Sequence, residues 1–114
     1  MLSNTEIAAV LQEIADLLDI AGENPFKVRG FRRAVEVIGG LPEEAAEVVG
    51  QGRLRDLPGI GETLAEVITE LVTTGNSSYR HHLTDQVPAS LLELLRIPGL
   101  GPRKASQLYR ELGI

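Results

Sequence analysis

The stretch Leu54-Arg55-Asp56-Leu57-Pro58-Gly59-Ile60-Gly61-Glu62-Thr63-Leu64-Ala65 returns 40 residues later (Leu54 to Leu94) as Leu94-Leu95-Arg96-Ile97-Pro98-Gly99-Leu100-Gly101-Pro102-Arg103-Lys104-Ala105. The shared frame is apolar-Pro-Gly-apolar-Gly, with Ala four residues after the second Gly. Each position has a physical reason. Pro ends the incoming helix. The first Gly permits a backbone turn that a side chain would strain. The apolar residue between the glycines plugs the loop into a core. The second Gly is expected to let another backbone come very close, and the Ala to keep the two flanking helices near each other. Outward-facing backbone N–H groups at a helix N-terminus remain, which suits a phosphate without help from side chains. A tight helix-helix turn with no ligand is the competing reading, and the repeat of the whole frame favours phosphate.

Working outward, every neighbouring segment reads as helix. Ser3-Asn4-Thr5-Glu6 has the form of a capping box. Ile7, Val10, Leu11, Ile14, Leu17 and Leu18 follow it at helical spacing up to Ala21-Gly22. Asn24-Pro25 is a second start, an N-cap followed by Pro at the first helical position. Phe31, Ala34, Val35 and Ile38 give that helix an apolar stripe ending at Gly39-Gly40. Leu41-Pro42-Glu43-Glu44 predicts a third helix with acids in its first turn. A short turn over Arg53–Asp56 leads to the first loop. Helices are expected over Thr63–Thr73, from Asn76–Ser78 to about Gln86, from Pro88 to Leu95, and from Pro102 to Leu112. No strand alternation persists, so the class is all-α: a compact helical bundle with two helix-hairpin-helix motifs. The best internal boundary, Gly75-Asn76-Ser77-Ser78, divides a four-helix unit (1–75) from a second hairpin segment (76–114).

With 114 residues, 43% of them apolar, the chain can bury a core without staples. It has no cysteine, which excludes disulfides and thiolate metal sites. Met1-Leu2-Ser3-Asn4 is not basic, so no secretory signal is expected. No apolar run approaches the roughly 20 residues of a membrane span. A cytoplasmic protein with no membrane partner is the expectation. The net charge of −5 argues against diffuse affinity for nucleic acid. Few aromatics (Phe26, Phe31, Tyr79, Tyr109) leave little to stack single-stranded bases on. Two segments run against the acidic average. Residues 25–35 hold Lys27, Arg29, Arg32 and Arg33, residues 96–110 hold Arg96, Arg103, Lys104 and Arg110, and neither holds an acid. Arg103 and Lys104 lie in the first turn after a hairpin, where cations are unfavourable and their presence points to an outside anion.

The run Asn24-Pro25-Phe26-Lys27-Val28-Arg29-Gly30-Phe31-Arg32-Arg33-Ala34, followed in order by the two glycine loops and Thr74-Gly75 between them, resembles the N-terminal region of family X DNA polymerases, of the bacterial DNA polymerase beta-like type. The resemblance covers nearly the whole chain. It implies a small helical domain that binds the 5′-phosphate side of a gap in DNA, followed by a hairpin that holds the other strand. It implies a DNA-binding set of Lys27 and Arg32 near a 5′-phosphate pocket, Gly59, Gly61, Gly99 and Gly101 in the loops, and Arg103 and Lys104. It further implies a Na+ or K+ ion held by hairpin carbonyls, here those of Arg55, Leu57 and Ile60 and of Leu95, Ile97 and Leu100. No other cofactor is required.

Lyase-active relatives attack an abasic sugar with a lysine on the helix after the first hairpin. Here that position is Val67, and the nearby position that often carries a second lysine is Thr63. Schiff-base chemistry needs an amine, and the only lysines are Lys27 and Lys104. Polymerase chemistry needs a palm domain with metal-binding carboxylates, which the resemblance does not reach. This chain alone is therefore expected to be non-catalytic, with polymerase and phosphoesterase domains in a longer parent. Glu62, Glu66 and Glu70 form one acidic stripe, read as a solvated face. His81-His82 diverge on a helix and do not form a site. The function expected is sequence-independent binding of the DNA backbone, on gapped or 5′-phosphorylated duplex in repair. A protein-interaction module that no longer binds DNA and a residual abasic-site lyase using Lys27 are the alternatives.

Overall fold

The computed structural model describes residues 2–87 and 89–112, the side chains at 89, 90, 102, 110 and 112 excepted. Among the described residues seven helices follow one another: α1 (Asn4–Ile20), α2 (Pro25–Gly39), α3 (Ala45–Gly50), α4 (Glu62–Thr74), α5 (Ser78–Gln86), α6 (Ala89–Leu95) and α7 (Pro102–Leu112). A single 3-10 turn, Leu54–Asp56, precedes the first hairpin. There is no strand among the described residues, and the molecule is an all-α bundle. The helix start expected at Pro88 lies outside the described residues.

Local signals set most helix ends. Ser3 Oγ accepts from the Glu6 amide at 3.1 Å, and Glu6 accepts from the Ser3 amide at 3.0 Å. Asn24 Oδ1 accepts from the Phe26 amide at 2.8 Å and Pro25 occupies the first helical position. α4 ends at Gly75, whose φ of +78° is the left-handed closure that glycine adopts without strain. The third helix departs from expectation. It begins at Ala45, so Glu43 and Glu44 precede it rather than fill its first turn. The cause is a partner 41 residues away: Asn4 Oδ1 accepts from the Ala45 amide at 2.7 Å. The Asn4 side-chain NH2 also donates to the Glu43 carbonyl at 2.7 Å. Glu43 itself turns aside to Arg53.

α1 is the spine. Ile7, Leu11, Ile14, Leu17 and Leu18 are essentially inaccessible, and the helix packs against α2, α4, α5 and α7. Each such side chain contributes about 1.5–3 kcal/mol relative to exposure. α2 adds Phe31, Ala34 and Ile38; α4 adds Leu64, Val67, Ile68 and Leu71. Val10 and Val35, expected on the apolar stripes, are only partly buried at the rim of this core. Because α7 also leans on α1, the C-terminal hairpin is carried on the same spine as the first. No helix among the described residues is long and apolar enough to cross a membrane.

Candidate nucleic-acid interface

The two loops fold alike. In the first, Leu57 O accepts from the Ile60 amide at 3.3 Å; in the second, Ile97 O accepts from the Leu100 amide at 3.1 Å. Gly59 and Gly99 sit at φ +80° and +81°. Pro before a left-handed Gly, closed by that bond, is a type II turn, which a side chain at the Gly position would strain. The next helix then starts from the second Gly, through Ala65 N to Gly61 O and Ala105 N to Gly101 O, both 2.9 Å. Ile60 is buried as expected, whereas Leu100 is only partly covered. Ala105 is fully buried and Ala65 partly.

One expectation is corrected. The second glycines do not admit a neighbouring backbone, because a Cβ built on Gly61 or Gly101 would meet nothing within 4 Å. They face open space. The close approach occurs instead at Gly59, where a Cβ would lie 2.8 Å from Cδ of Arg33 on α2. Arg33 lays its aliphatic stem across the first turn.

Gly61 is extended (φ −89°, ψ −169°) and offers α4 no side-chain cap. α1, α2 and α5 are each capped by a side-chain oxygen, from Ser3, Asn24 and Ser77. The opening amides of α4 therefore point outward with no side chain serving them, the arrangement that attracts an anion. They open on a cleft of about 410 Å³ between α2, the hairpin and α5. Lys27, Gly30 and Phe31 form one wall, Gly59, Gly61, Glu62 and Thr63 the other, and Tyr79 closes the end. Phe31 and Tyr79 are stacked with centroids 5.5 Å apart, which holds α5 at that end of the cleft. Lys27 is solvent-exposed and pairs with Glu23 at 3.8 Å. A contact so long and exposed holds it loosely.

The expected site residues do not all converge. Lys27, Gly59 and Gly61 share the cleft just described. Arg32 does not line it: its guanidinium is bonded to Asp16 (3.2 Å) and Asp19 (3.4 Å), tying α2 to α1. Gly99, Gly101, Arg103 and Lys104 are exposed on the second hairpin. Ile97 beside them is 49% exposed. The Arg110 side chain lies outside the described residues. No cluster of three metal-binding side chains exists among the described residues. A cation at the hairpins would depend on the carbonyls of Arg55, Leu57 and Ile60 and of Leu95, Ile97 and Leu100. Those of Leu57 and Ile97 each spend one lone pair on the turn and keep a second.

Val67 is buried in the core, whereas Thr63 faces the cleft. The acidic stripe is not uniformly solvated. Glu70 accepts from the Ser78 amide (2.9 Å) and Ser78 Oγ (2.5 Å), anchoring the start of α5. Those bonds hold its carboxyl below the usual range. His81 and His82 are exposed on α5. The sequence reading missed Phe31, Gly30, Arg33 and Tyr79 as parts of the site. Gly30 carried a signal: glycine inside a helix costs roughly 1 kcal/mol against Ala, and here its missing side chain widens the cleft.

These hairpins and their mounting define a helix-hairpin-helix protein, and residues 2–77 match the family model described as "Helix-hairpin-helix domain". The chain belongs to that family. It is similar to DNA polymerase/3'-5' exonuclease PolX of Bacillus subtilis (strain 168), 37% identical over 109 residues, which are 96% of this chain and 19% of that protein. It is also similar to DNA polymerase lambda of Arabidopsis thaliana, 28% identical over 109 residues, 95% of this chain and 20% of that protein. Both are family X polymerases, the resemblance read from the sequence. The chain spans about a fifth of the length of these relatives.

Proposed function

We propose that this chain is a DNA-backbone-binding module acting in repair, with gapped or 5′-phosphorylated duplex as its target and the α2–α4 cleft as its 5′-phosphate site. The observation that carries this is the uncapped start of α4 opening beside Lys27. Backbone amides supply oriented donors and Lys27 a mobile counter-charge, so a phosphate is held without regard to base sequence. The second hairpin, with Arg103 and Lys104 in its first turn, holds the strand on the far side of the gap. A Na+ or K+ ion on the hairpin carbonyls would bridge loop and phosphate. The chemistry of abasic-sugar cleavage is not part of the reading, since the amine position is Val67. Polymerase and phosphoesterase activities belong, in this proposal, to domains of a longer parent.

The test is an anisotropy titration of a gapped duplex bearing a 5′-phosphate against the same duplex with a 5′-hydroxyl. Tighter binding of the phosphorylated gap is expected, along with a steep salt dependence of about 0.9 log unit per neutralised phosphate. Lys27→Ala should erase the difference between the two duplexes. A folded protein that binds neither duplex at low salt ends the proposal. The exposed Ile97 and the net charge of −5 favour a protein-interaction surface as the second reading. Unchanged function in Arg103→Glu would speak for it.

A further inference from the structure

On the face of α2 turned away from the 5′-phosphate cleft lies another cleft, of about 430 Å³, that no sequence motif announced. Arg29 and Arg32 line it from α2 and Arg103 from the start of α7, over a floor of Pro25 and Val28, with Asp19 and Glu23 at the α1 side. The two basic segments of an acidic protein thus face one another across a single opening. Each acid in it has a cation partner, Glu23 only a loose one. Asp19 takes Arg32 at 3.4 Å, and Glu23 takes Lys27 at 3.8 Å. Arg29 and Arg103 have no carboxylate partner among the described residues. The Arg29 guanidinium is instead held 4.7 Å over the ring of Phe26, itself 75% exposed. That contact limits the head's rotation. Three arginines (Arg29, Arg32, Arg103) against two carboxylates (Asp19, Glu23) leave the cleft with an excess of positive charge, which an anion shared between Arg29 and Arg103 would neutralise. Planar forked donors suit the oxygens of a phosphate.

We propose that this cleft is a further phosphodiester site, in which Arg29 and Arg103 hold one phosphate of the DNA backbone between the places held by the two hairpins. The proposal rests on the DNA-binding reading above and adds to it Arg29, which neither hairpin contains, acting together with Arg103 of the second. It makes α2 the bridge of the interface, with Lys27 serving one cleft and Arg29 the other.

The experiment titrates the phosphorylated gapped duplex against the full chain and its Arg29→Ala, Arg103→Ala and double variants across a range of salt. Arg53→Ala removes the same charge from a residue paired with Glu43 outside this cleft and serves as the control. Circular dichroism verifies folding of each. Each single variant should weaken binding roughly tenfold and lower the salt slope by about 0.9. The double variant should lower the slope no further, because both arginines serve the same phosphate. An Arg29→Ala variant that binds as Arg53→Ala does, while the wild type binds DNA, overturns this proposal and leaves the hairpin reading, which rests on Arg103 and not on Arg29, standing. A wild type that does not bind overturns both. Inorganic phosphate provides the last arm. If it shifts the Arg29 and Arg103 side-chain resonances while both variants keep wild-type DNA affinity, the cleft serves a free anion and the strand assignment falls.

Discussion

The two hairpins share sequence, turn type and hydrogen bonds, yet they are mounted differently. The first is pressed into the bundle: Ile60 is buried, Arg33 covers Gly59, and a walled cleft stands before the start of α4. The second stands at the edge: Ile97 is half exposed, Leu100 is partly covered, and a Cβ on Gly99 would meet nothing. Their charge is reversed as well. The first helix turn after hairpin one carries Glu62, and that after hairpin two carries Arg103 and Lys104. The first therefore has shape and a borrowed cation from α2. The second has its own cations and little enclosure. One loop motif thus yields a pocket or an open grip according to what packs on it.

The largest test of this contrast is Gly59→Ala against Gly99→Ala. Both substitutions force a left-handed residue, which costs about 1–2 kcal/mol. Only the first also collides with Arg33. Gly99→Ala should lose about 1 kcal/mol in urea unfolding, and Gly59→Ala about 2–3 kcal/mol. In an Arg33→Ala background the two losses should become equal. Equal losses with Arg33 present would mean that the first hairpin is no more tightly mounted than the second.

Glu62 sharpens the electrostatic half of the comparison. Glu62 lines the α2–α4 cleft in the first turn of α4, where a carboxylate interacts favourably with the helix end and competes with an anion held by the same amides. Glu62→Gln should tighten DNA binding about two- to fivefold, at a small loss of stability, with the largest gain at low salt. No gain would place the phosphate away from this turn.

The smallest expected effect concerns the link between the halves. Glu70 on α4 holds the first turn of α5 through Ser78, and its folded-state pKa lies below its unfolded value. Its stabilising contribution is therefore fully present above the unfolded pKa, about 4.3. It fades as pH falls through the lowered folded value. Glu70→Gln should lower Tm at pH 7 and make no difference near pH 2. An equal loss at both pH values would show that shape rather than charge anchors α5.

The repeated Pro-Gly-x-Gly frame, the capping box at Ser3, the Asn24-Pro25 start and the apolar spacing of α1 determined the helices and the two turns from sequence alone. Each of these depends on atoms within a few residues, so a linear reading reaches them. Tertiary structure decided the rest. Asn4 sets the start of α3 across 41 residues. Arg32, on a basic helix that suggested phosphate, is spent on Asp16 and Asp19 of α1. Tyr79 closes a cleft built by residues of α2 and α4. Arg29 and Arg103, far apart in the chain, come to one opening because α7 packs on the same helix as α2. Local hydrogen bonding writes the loops into the sequence, whereas which side chains face each loop depends on how the helices pack.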